Sequence, residues 1–140
     1  MISLRLVVDT NIIVSAALKP DGLQRSVLLI ALRKPARLYV SDAILDEYRA
    51  VLARPRLHIR RGLRQQLLRI IENDAHRIVP PVRLRVAADP GDDMFLECAD
   101  AAKADYVVTG NISHFPRYWK KTKIITSREF LDIVAPHLLS

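Results

Sequence analysis

The chain has 140 residues, half of them hydrophobic, and a formal net charge of +7 at pH 7. This length suits one domain, which we predict over residues 1–140, with a core large enough to need no disulfides. Because Cys98 is the single cysteine, the sequence excludes an internal disulfide and a cysteine-based zinc site, and we expect Cys98 to be a small buried hydrophobe. No apolar run approaches the ~20 residues of a membrane span, so we expect a cytoplasmic protein without a secretory leader or membrane anchor.

The first half of the chain alternates between short apolar runs and amphipathic segments. Residues 4–8 predict a buried strand, because the run is short, apolar and β-branched at its end. Ser41 is a suitable N-cap for a helix that has acids in its first turns and Arg54 at its end. The predicted elements of this half are a strand over 4–8, helices over 11–18 and 23–33, a strand over 37–40, and helices over 42–53 and 62–73.

The second half continues the alternation and ends with a capping box, in which Thr126 precedes Glu129 by three residues. Strands that alternate with helices predict a mainly parallel sheet of about five strands, with helices on both of its faces. The predicted elements of this half are a strand over 76–79, a loop over 82–91, a helix over 93–103, a strand over 106–109, a loop over 113–119, a strand over 123–125 and a last helix to 135.

Several acids lie where strands end or helices begin. Asp9 ends the first strand, Glu47 lies in the second turn of the helix after the second strand, and Asp92 and Asp93 open the helix before the fourth strand. In a parallel sheet these positions gather at the edge where ligands bind. Carboxylates gathered there repel one another unless a cation neutralises them, and oxygen ligands suit Mg²⁺ or Mn²⁺. The acids therefore predict a divalent-metal site at this edge.

Each acid also has an ordinary structural interpretation. Asp9 can cap the helix that follows it, and Asp92 and Asp93 can cap theirs and complement its dipole. Glu47 can stabilise a helix start from the surface. Glu97 lies one turn after Asp93, where it can be a further ligand or pair with a nearby base. The metal interpretation rests on the set, because its members share matching positions in the predicted topology.

Basic residues are concentrated in two segments, and arginine is the commoner of the two basic types. Arginine-rich patches suit phosphate, and aromatic side chains beside them suit stackable bases, which favours a nucleic acid over a merely solvated helical face. The first segment contains Arg54, Arg56, Arg60, Arg61 and Arg64 among nine arginines between 54 and 85. The second contains Arg117, Lys120, Lys121 and Lys123, with Tyr118 and Trp119 among them.

Four segments in this order resemble the motifs of the PIN domain family: 7–11, 45–48, 89–99 and 108–116. More narrowly, the chain is similar to bacterial PIN proteins classed as toxin components of toxin–antitoxin systems, relatives of VapC. The resemblance covers nearly the whole chain and implies a three-layer α/β/α fold. It also implies a divalent-metal-dependent endoribonuclease that uses Mg²⁺ or Mn²⁺ to cleave RNA, forms a homodimer and is inhibited by a partner antitoxin.

The resemblance also implies roles for individual residues. Asp9, Glu47 and Asp93 match the metal-binding, catalytic acids, with Asp92 as the alternative to Asp93. Glu97 is a further candidate metal ligand. The polar neighbours expected around the ligands are Thr10, Asn11 and Asn111.

The sequence departs from the family pattern after the fourth strand, where many PIN nucleases have a fourth acid. The two candidate positions are Asn111 and His114, and neither is acidic. Asn111 can still offer its carbonyl to a metal or hold a water, and His114 can contact phosphate. The departure leaves a second hypothesis open, in which the chain is a catalytically weak module that binds nucleic acid or an antitoxin.

Overall fold

The computed structural model describes residues 4–138, so both ends of the predicted 1–140 domain, residues 1–3 and 139–140, lie outside the described residues. Six strands form one sheet: β1 (Leu4–Val8), β2 (Ala36–Val40), β3 (His76–Arg77), β4 (Tyr106–Val108), β5 (Tyr118–Trp119) and β6 (Thr122–Ile125). The helices are α1 (Thr10–Leu18), α2 (Leu23–Ala31), α3 (Asp42–Leu52), α4 (Arg61–Asp74), α5 (Asp93–Ala102) and α6 (Ser127–Leu138). Three short 3-10 turns cover Pro55–Leu57, Pro90–Asp92 and Ile112–His114.

The order of the strands in the sheet is β3-β2-β1-β4-β6-β5. Every neighbouring pair is parallel except β5 and β6, which form an antiparallel hairpin at one edge. The chain moves from β1 to one side of the sheet through β2 and β3, and then returns to the other side with β4. The order therefore reverses between β1 and β4, and in such sheets the crevice at the carboxyl ends of those two strands is the usual ligand site.

The sheet lies between helices, as the predicted three-layer α/β/α fold requires. Helix α5 packs against β1, β2 and β4, and α2 contacts α1, α6 and β2. The central strands are apolar on both faces, which is what a parallel sheet covered on both sides demands. Leu6, Val7 and Val8 of β1, and Val107 and Val108 of β4, have no exposed surface.

Two parts of the sheet differ from the expectation. The third strand ends after Arg77 instead of reaching 79: Ile78 still donates its N–H to Val40 O at 2.9 Å, but Val79 is 80% exposed and two prolines without N–H groups follow. The expected loop over 113–119 instead contains a 3-10 turn and β5, so the sheet has six strands where the sequence predicted about five. The turn after β5 is possible because Lys120 adopts a left-handed conformation with φ 53°.

The helix caps and the buried cysteine were predicted more accurately from the sequence than the number of strands was. The predicted capping box forms: Thr126 N donates to Glu129 Oε1 at 3.2 Å, and Glu129 N donates to Thr126 Oγ1 at 3.1 Å. Ser41 Oγ accepts the N–H of Ile44 at 3.2 Å and so caps α3 as expected. Cys98 is fully buried, and burial raises the pKa of its thiol to about 12. Among residues 4–138, no helix combines the length and the apolar character needed to cross a membrane.

Candidate active site

The centre of the site is Asp9, which leaves β1 beside Thr109 leaving β4. The parallel register pairs Val8 with Val108, so the next residue of each strand lies next to the other at the switch point. Thr109 Oγ1 donates to Asp9 Oδ2 at 2.7 Å, and Thr10 N donates to Asp9 Oδ1 at 2.7 Å. Asp9 is thus also the cap of α1, as its structural interpretation predicted. Each carboxylate oxygen keeps capacity for another partner.

Burial and hydrogen bonding have opposing effects on Asp9. Its side chain is 6% exposed, and this burial raises the pKa of the carboxyl, while the hydrogen bonds from Thr109 and Thr10 lower it. The charge of His114 lowers it further. The net direction is upward, because desolvation is the largest of these effects.

Glu47 lies in α3 next to the residue that attaches this helix to the end of β1. Tyr48 is completely buried, and its hydroxyl donates to Val8 O, the last carbonyl of β1. This bond fixes α3 across the end of β1, and Glu47 on the adjacent position is half-buried. Among the described residues, Glu47 has no hydrogen bond or ion pair that would commit its carboxylate to the fold.

Asp92 is the acid most strongly influenced by the others. Burial, which has the largest effect, and the charges of Asp9, Asp89 and Glu47 together raise its pKa to about 6, while the charge of His114 lowers it. His114 Nδ1 lies 3.6 Å from Asp92 Oδ2. The imidazole therefore provides partial compensation on the solvent side of an otherwise repulsive set of carboxylates.

Asp93 and Glu97 have different partners. Asp93 Oδ1 accepts the N–H groups of Val86 and Ala87 at 2.9 and 2.7 Å. Glu97 Oε2 accepts the N–H of Leu84 at 2.8 Å. Both carboxylates hold the segment 84–87 on the surface of α5, and we call Asp93 and Glu97 together the loop clamp. This geometry favours Asp92 over Asp93 as the acid that faces Asp9, the reverse of the preference drawn from the sequence.

The segment after β4 has no acid where many PIN nucleases have one, but its backbone is hydrogen-bonded to Thr109. Asn111 N donates to Thr109 Oγ1 at 2.9 Å, so one hydroxyl links the first acid to this segment. The side chain of Asn111 is exposed. On the other side, Asn11 Oδ1 accepts the N–H of Gly110 at 3.4 Å, and a Cβ on Gly110 would come within 3.3 Å of the Asn11 side chain.

The arginines from 54 to 64 lie away from Asp9. Helix α3 begins at the carboxyl end of β2, and its eleven residues carry the chain about 16 Å away before Arg54. Arg60 lines a groove with Ala17 and Leu18, at the end of α1 remote from Asp9. The arginines of this segment are exposed except for Arg64, which is half-buried. Of the residues expected to bind nucleic acid, only His114 lies at the acidic site.

The oxygen donors of the site fit a hard divalent cation, although the acidic side chains are too far apart to form a complete metal site. Asp9, Glu47 and Asp92 offer carboxylate oxygens, and the buried Thr10 Oγ1 has no hydrogen-bond partner among the described residues. Such oxygen donors suit Mg²⁺ or Mn²⁺. Yet within residues 4–138 no three acidic, imidazole or thiol side chains approach closely enough to form a metal-binding group. Small side-chain movements towards a cation are therefore part of any binding here.

Sequence reasoning missed two residues that build the site. Thr109 is fully buried and receives its role from the β1–β4 register, across a sequence separation of 100 residues. Tyr48 was not singled out in the sequence, although it lies next to Glu47. The available signal for Thr109 was its position: a hydroxyl directly after a strand in a sheet whose first strand ends in an acid.

Comparisons with known proteins agree with this arrangement. A model of the PIN domain matches residues 5–113. The chain belongs to the PIN domain family. It is also 27% identical to an uncharacterized protein of Methanocaldococcus jannaschii, over 94% of this chain and 92% of the relative.

A solved structure extends the likeness to three dimensions. The crystal structure of VapBC2 from Rickettsia felis, bound to a DNA fragment from their promoter, matches with a TM-score of 0.59. The match covers 88% of this PIN chain and 98% of that chain, at 17% sequence identity. At that identity the likeness establishes the fold, and members of the PIN family are generally nucleases.

Proposed function

We propose that this PIN protein is a divalent-metal-dependent endoribonuclease, with Asp9, Glu47 and Asp92 as the acids that hold Mg²⁺ or Mn²⁺. The observation that supports the proposal is the position of Asp9 at the switch point, together with the charges of Asp9 and Glu47, which both raise the pKa of Asp92. A carboxylate that is raised in this way by neighbouring acids is stabilised when a cation binds among them.

The chain's own residues would divide the work of phosphodiester hydrolysis. Asp9, Glu47 and Asp92 would hold the divalent cation, which would supply polarisation of a phosphate oxygen and a lower pKa for the attacking water. Thr109 and the N–H of Thr10 hold the Asp9 carboxylate in one orientation, as the hydrogen bonds at 2.7 Å indicate. His114, exposed beside Asp92, is placed to contact a phosphate of the RNA from the solvent side. Asp93 and Glu97 support the reaction indirectly, by fixing the loop in front of α5.

We further propose a toxin role for the chain, with a cognate antitoxin and a homodimer as its assemblies. The support is the structural likeness to a VapBC2 complex, together with the motif resemblance of the whole chain. The clearest test is co-expression: an antitoxin encoded beside this chain should form a stable complex with it and suppress its RNA cleavage. A single-molecule mass measurement of the free chain should give twice the 15.9 kDa protomer mass.

The decisive experiment for the nuclease is the Asp9→Asn variant. Asparagine keeps the shape of the side chain and can still accept a hydrogen bond, so the fold should persist while Mn²⁺-dependent cleavage of RNA disappears. Asp21→Asn, in the exposed turn between α1 and α2, is the matched control and should cleave like the wild type. Full metal-dependent activity in Asp9→Asn would refute the proposal.

A second candidate function has its own support. No three ligands are gathered among the described residues, and Asn111 stands where many relatives have an acid. A catalytically weak PIN module that binds RNA or an antitoxin would have these properties. Titration calorimetry with Mn²⁺ separates the two: binding that Asp9→Asn abolishes favours the nuclease, and an absence of binding at millimolar metal favours the module.

A further inference from the structure

The hairpin at the edge of the sheet, residues 117–123, has two unlike faces, and we call it the edge hairpin. In its antiparallel register Tyr118 pairs with Lys123, and Trp119 pairs with Thr122. Thr122 is buried, and its hydroxyl donates to Ala104 O at 2.6 Å, so the Trp119–Thr122 face is turned inward. Because neighbouring residues of a strand point to opposite faces, Tyr118 and Lys123 share the outward one.

The outward face exposes an aromatic ring that packing does not use. Tyr118 is 55% exposed, whereas Trp119 of the same strand is packed against the core. A tyrosine ring held on a strand, beside a lysine in the paired position, offers a flat surface and a cation together. Bases stack on such rings with little dependence on sequence, and each stacked base contributes about 1–3 kcal/mol.

The cations around this ring are largely uncompensated. Lys120 is the exception, because it forms an ion pair with Asp100 Oδ1 at 2.9 Å and lies 5.9 Å from the Trp119 ring centre. Within the described part of the chain, Arg117, Lys121 and Lys123 form no ion pair. Arg117 precedes Tyr118 and therefore lies on the opposite face, whereas Lys123 is paired with Tyr118 and Lys121 lies in the adjoining turn. Two unpaired cations beside an exposed aromatic ring are a surface of the kind that binds a flexible polyanion.

The edge hairpin is also connected to the acidic site. It follows the 3-10 turn that carries His114, and Ile124 N donates to Arg117 O at 3.0 Å near the carboxyl end of β6. From there β5 runs antiparallel to β6, away from the acids and towards the turn at Lys120. A polymer bound along the hairpin would therefore have one end at His114 and the carboxylates.

We propose that the outward face of the edge hairpin binds single-stranded RNA, with Tyr118 stacking on a base and Lys121 and Lys123 binding phosphates. The choice of RNA as the polymer rests on the proposed ribonuclease function. Unlike the arginines from 54 to 64, this surface leads to His114 and the acids. Duplex RNA buries its bases, so it gains the phosphate contacts and loses the stacking.

An edge strand also needs protection from pairing with other sheets, and lysines and short length provide it. That role explains the brevity of β5 and the lysines near it. It does not explain Tyr118, because an exposed aromatic ring at an open edge promotes association instead of preventing it. The aromatic residue is therefore the part of the surface that distinguishes RNA binding from edge protection.

The test measures binding without cleavage. Fluorescence anisotropy in EDTA, with a labelled oligouridine of about twelve nucleotides, gives the affinity and its salt dependence for the full chain. We expect Tyr118→Ala to weaken binding by about 5–150-fold with an unchanged salt slope, and Tyr118→Phe to bind like the wild type. Lys121→Ala should lower the salt slope by ~0.7, whereas Lys19→Ala, an exposed lysine at the end of α1, should leave it unchanged.

Several results would overturn this inference. They are wild-type affinity in Tyr118→Ala, equal effects of Lys19→Ala and Lys121→Ala, equal affinity for duplex and single-stranded RNA, and an absence of wild-type binding. A parallel cleavage assay in Mn²⁺ keeps the two proposals apart. If the protein cleaves RNA but the hairpin variants bind RNA like the wild type, the proposed binding surface is wrong and the nuclease proposal stands. If binding depends on Tyr118 but no cleavage occurs, the nuclease proposal is wrong and the binding surface stands.

Discussion

Asp92 and Asp93 are adjacent in the chain, but the two carboxylates lie in opposite environments. Asp93 accepts two backbone N–H groups, and with Glu97 it forms the loop clamp. Asp92 faces the charges of Asp9, Asp89 and Glu47, and only His114 compensates it. The first environment stabilises a negative charge and the second penalises it.

The difference indicates how the molecule uses its acids. A carboxylate that accepts backbone N–H groups of a loop contributes to stability, because the loop depends on it. A carboxylate that is held against others gains most when a cation arrives. We therefore propose that the loop clamp serves mainly stability and that Asp9, Glu47 and Asp92 serve metal binding, and each part of this proposal can be tested by substitution.

The largest expected effect separates the two adjacent acids by activity. Asp92→Asn should lower Mn²⁺-dependent RNA cleavage by ~100-fold or more, because a lost ligand removes several kcal/mol of charge stabilisation. Asp93→Asn should stay within about tenfold of the wild type, since its amide oxygen can still accept the N–H groups of Val86 and Ala87. Initial rates on a fluorescent RNA give the comparison. A greater loss in Asp93→Asn than in Asp92→Asn would reverse the assignment.

The next effect concerns stability, for which the substitution of Asp93 should be more damaging than that of Asp92. Asp93→Ala removes the charged acceptor of two part-buried N–H groups and should lower the free energy of unfolding by about 2–4 kcal/mol. Asp92→Ala should change it by less than ~1 kcal/mol, because no backbone group depends on its carboxylate. Urea denaturation measures both.

Limited proteolysis provides a local control for the loop clamp. Trypsin cleaves after arginine, and Arg83 and Arg85 are exposed on either side of Leu84. Release of the segment 84–87 should accelerate cleavage there in Asp93→Ala before the rest of the chain is cut. Equal cleavage rates in Asp92→Ala and Asp93→Ala would show that the clamp does not hold the loop.

The sequence was informative where one element determines the outcome. The apolar run of β1 predicted a buried strand. Because a parallel strand exposes only its ends, the same run predicted that Asp9, which follows it, lies at the ligand-binding edge of the sheet. Ser41, Thr126 and Glu129 predicted helix starts, since capping involves residues within one turn of each other. All of these depend on neighbours in the chain.

The sequence was less informative where two distant segments decide together. Thr109 reaches Asp9 only through the register of β1 and β4. The partners of Asp92 and Asp93 depend on a 3-10 turn giving way to α5 between them, which rotates adjacent side chains into different surroundings. The arginines from 54 to 64 were predicted to bind nucleic acid because of their charge, but the length of α3 determines how far they lie from Asp9.

A smaller effect is expected at Thr109, which supports the acidic site without facing a ligand. Thr109→Val removes the hydroxyl that donates to Asp9 and accepts from Asn111, and should cost about 1–2 kcal/mol of stability. Because that hydrogen bond lowers the pKa of Asp9, its loss should move the acidic limb of the pH–rate profile to higher pH. Thr109→Ser keeps the hydroxyl and should retain the wild-type profile. A lower rate without any displacement of the profile would contradict this role.

The smallest effect tests the raised pKa of Asp92 in the metal-free protein. Burial and the charges of Asp9, Asp89 and Glu47 together raise the folded pKa of Asp92 to about 6, from an ordinary value of 3.8. Between these values the folded chain keeps a proton that the unfolded chain releases, so the stability contributed by Asp92 is present below about pH 4 and is lost as the pH rises to 6. Asp92→Asn should therefore leave stability unchanged near pH 4 and raise it at pH 7, by on the order of 1 kcal/mol after solvent screening.

Urea titrations of both proteins across this range measure the difference, and Mn²⁺ should shrink or reverse it by stabilising the wild type alone. Parallel curves from pH 4 to pH 7, with and without Mn²⁺, would mean that neither burial nor the neighbouring acids penalise the charge of Asp92, and the contrast with Asp93 would then rest on the loop clamp alone.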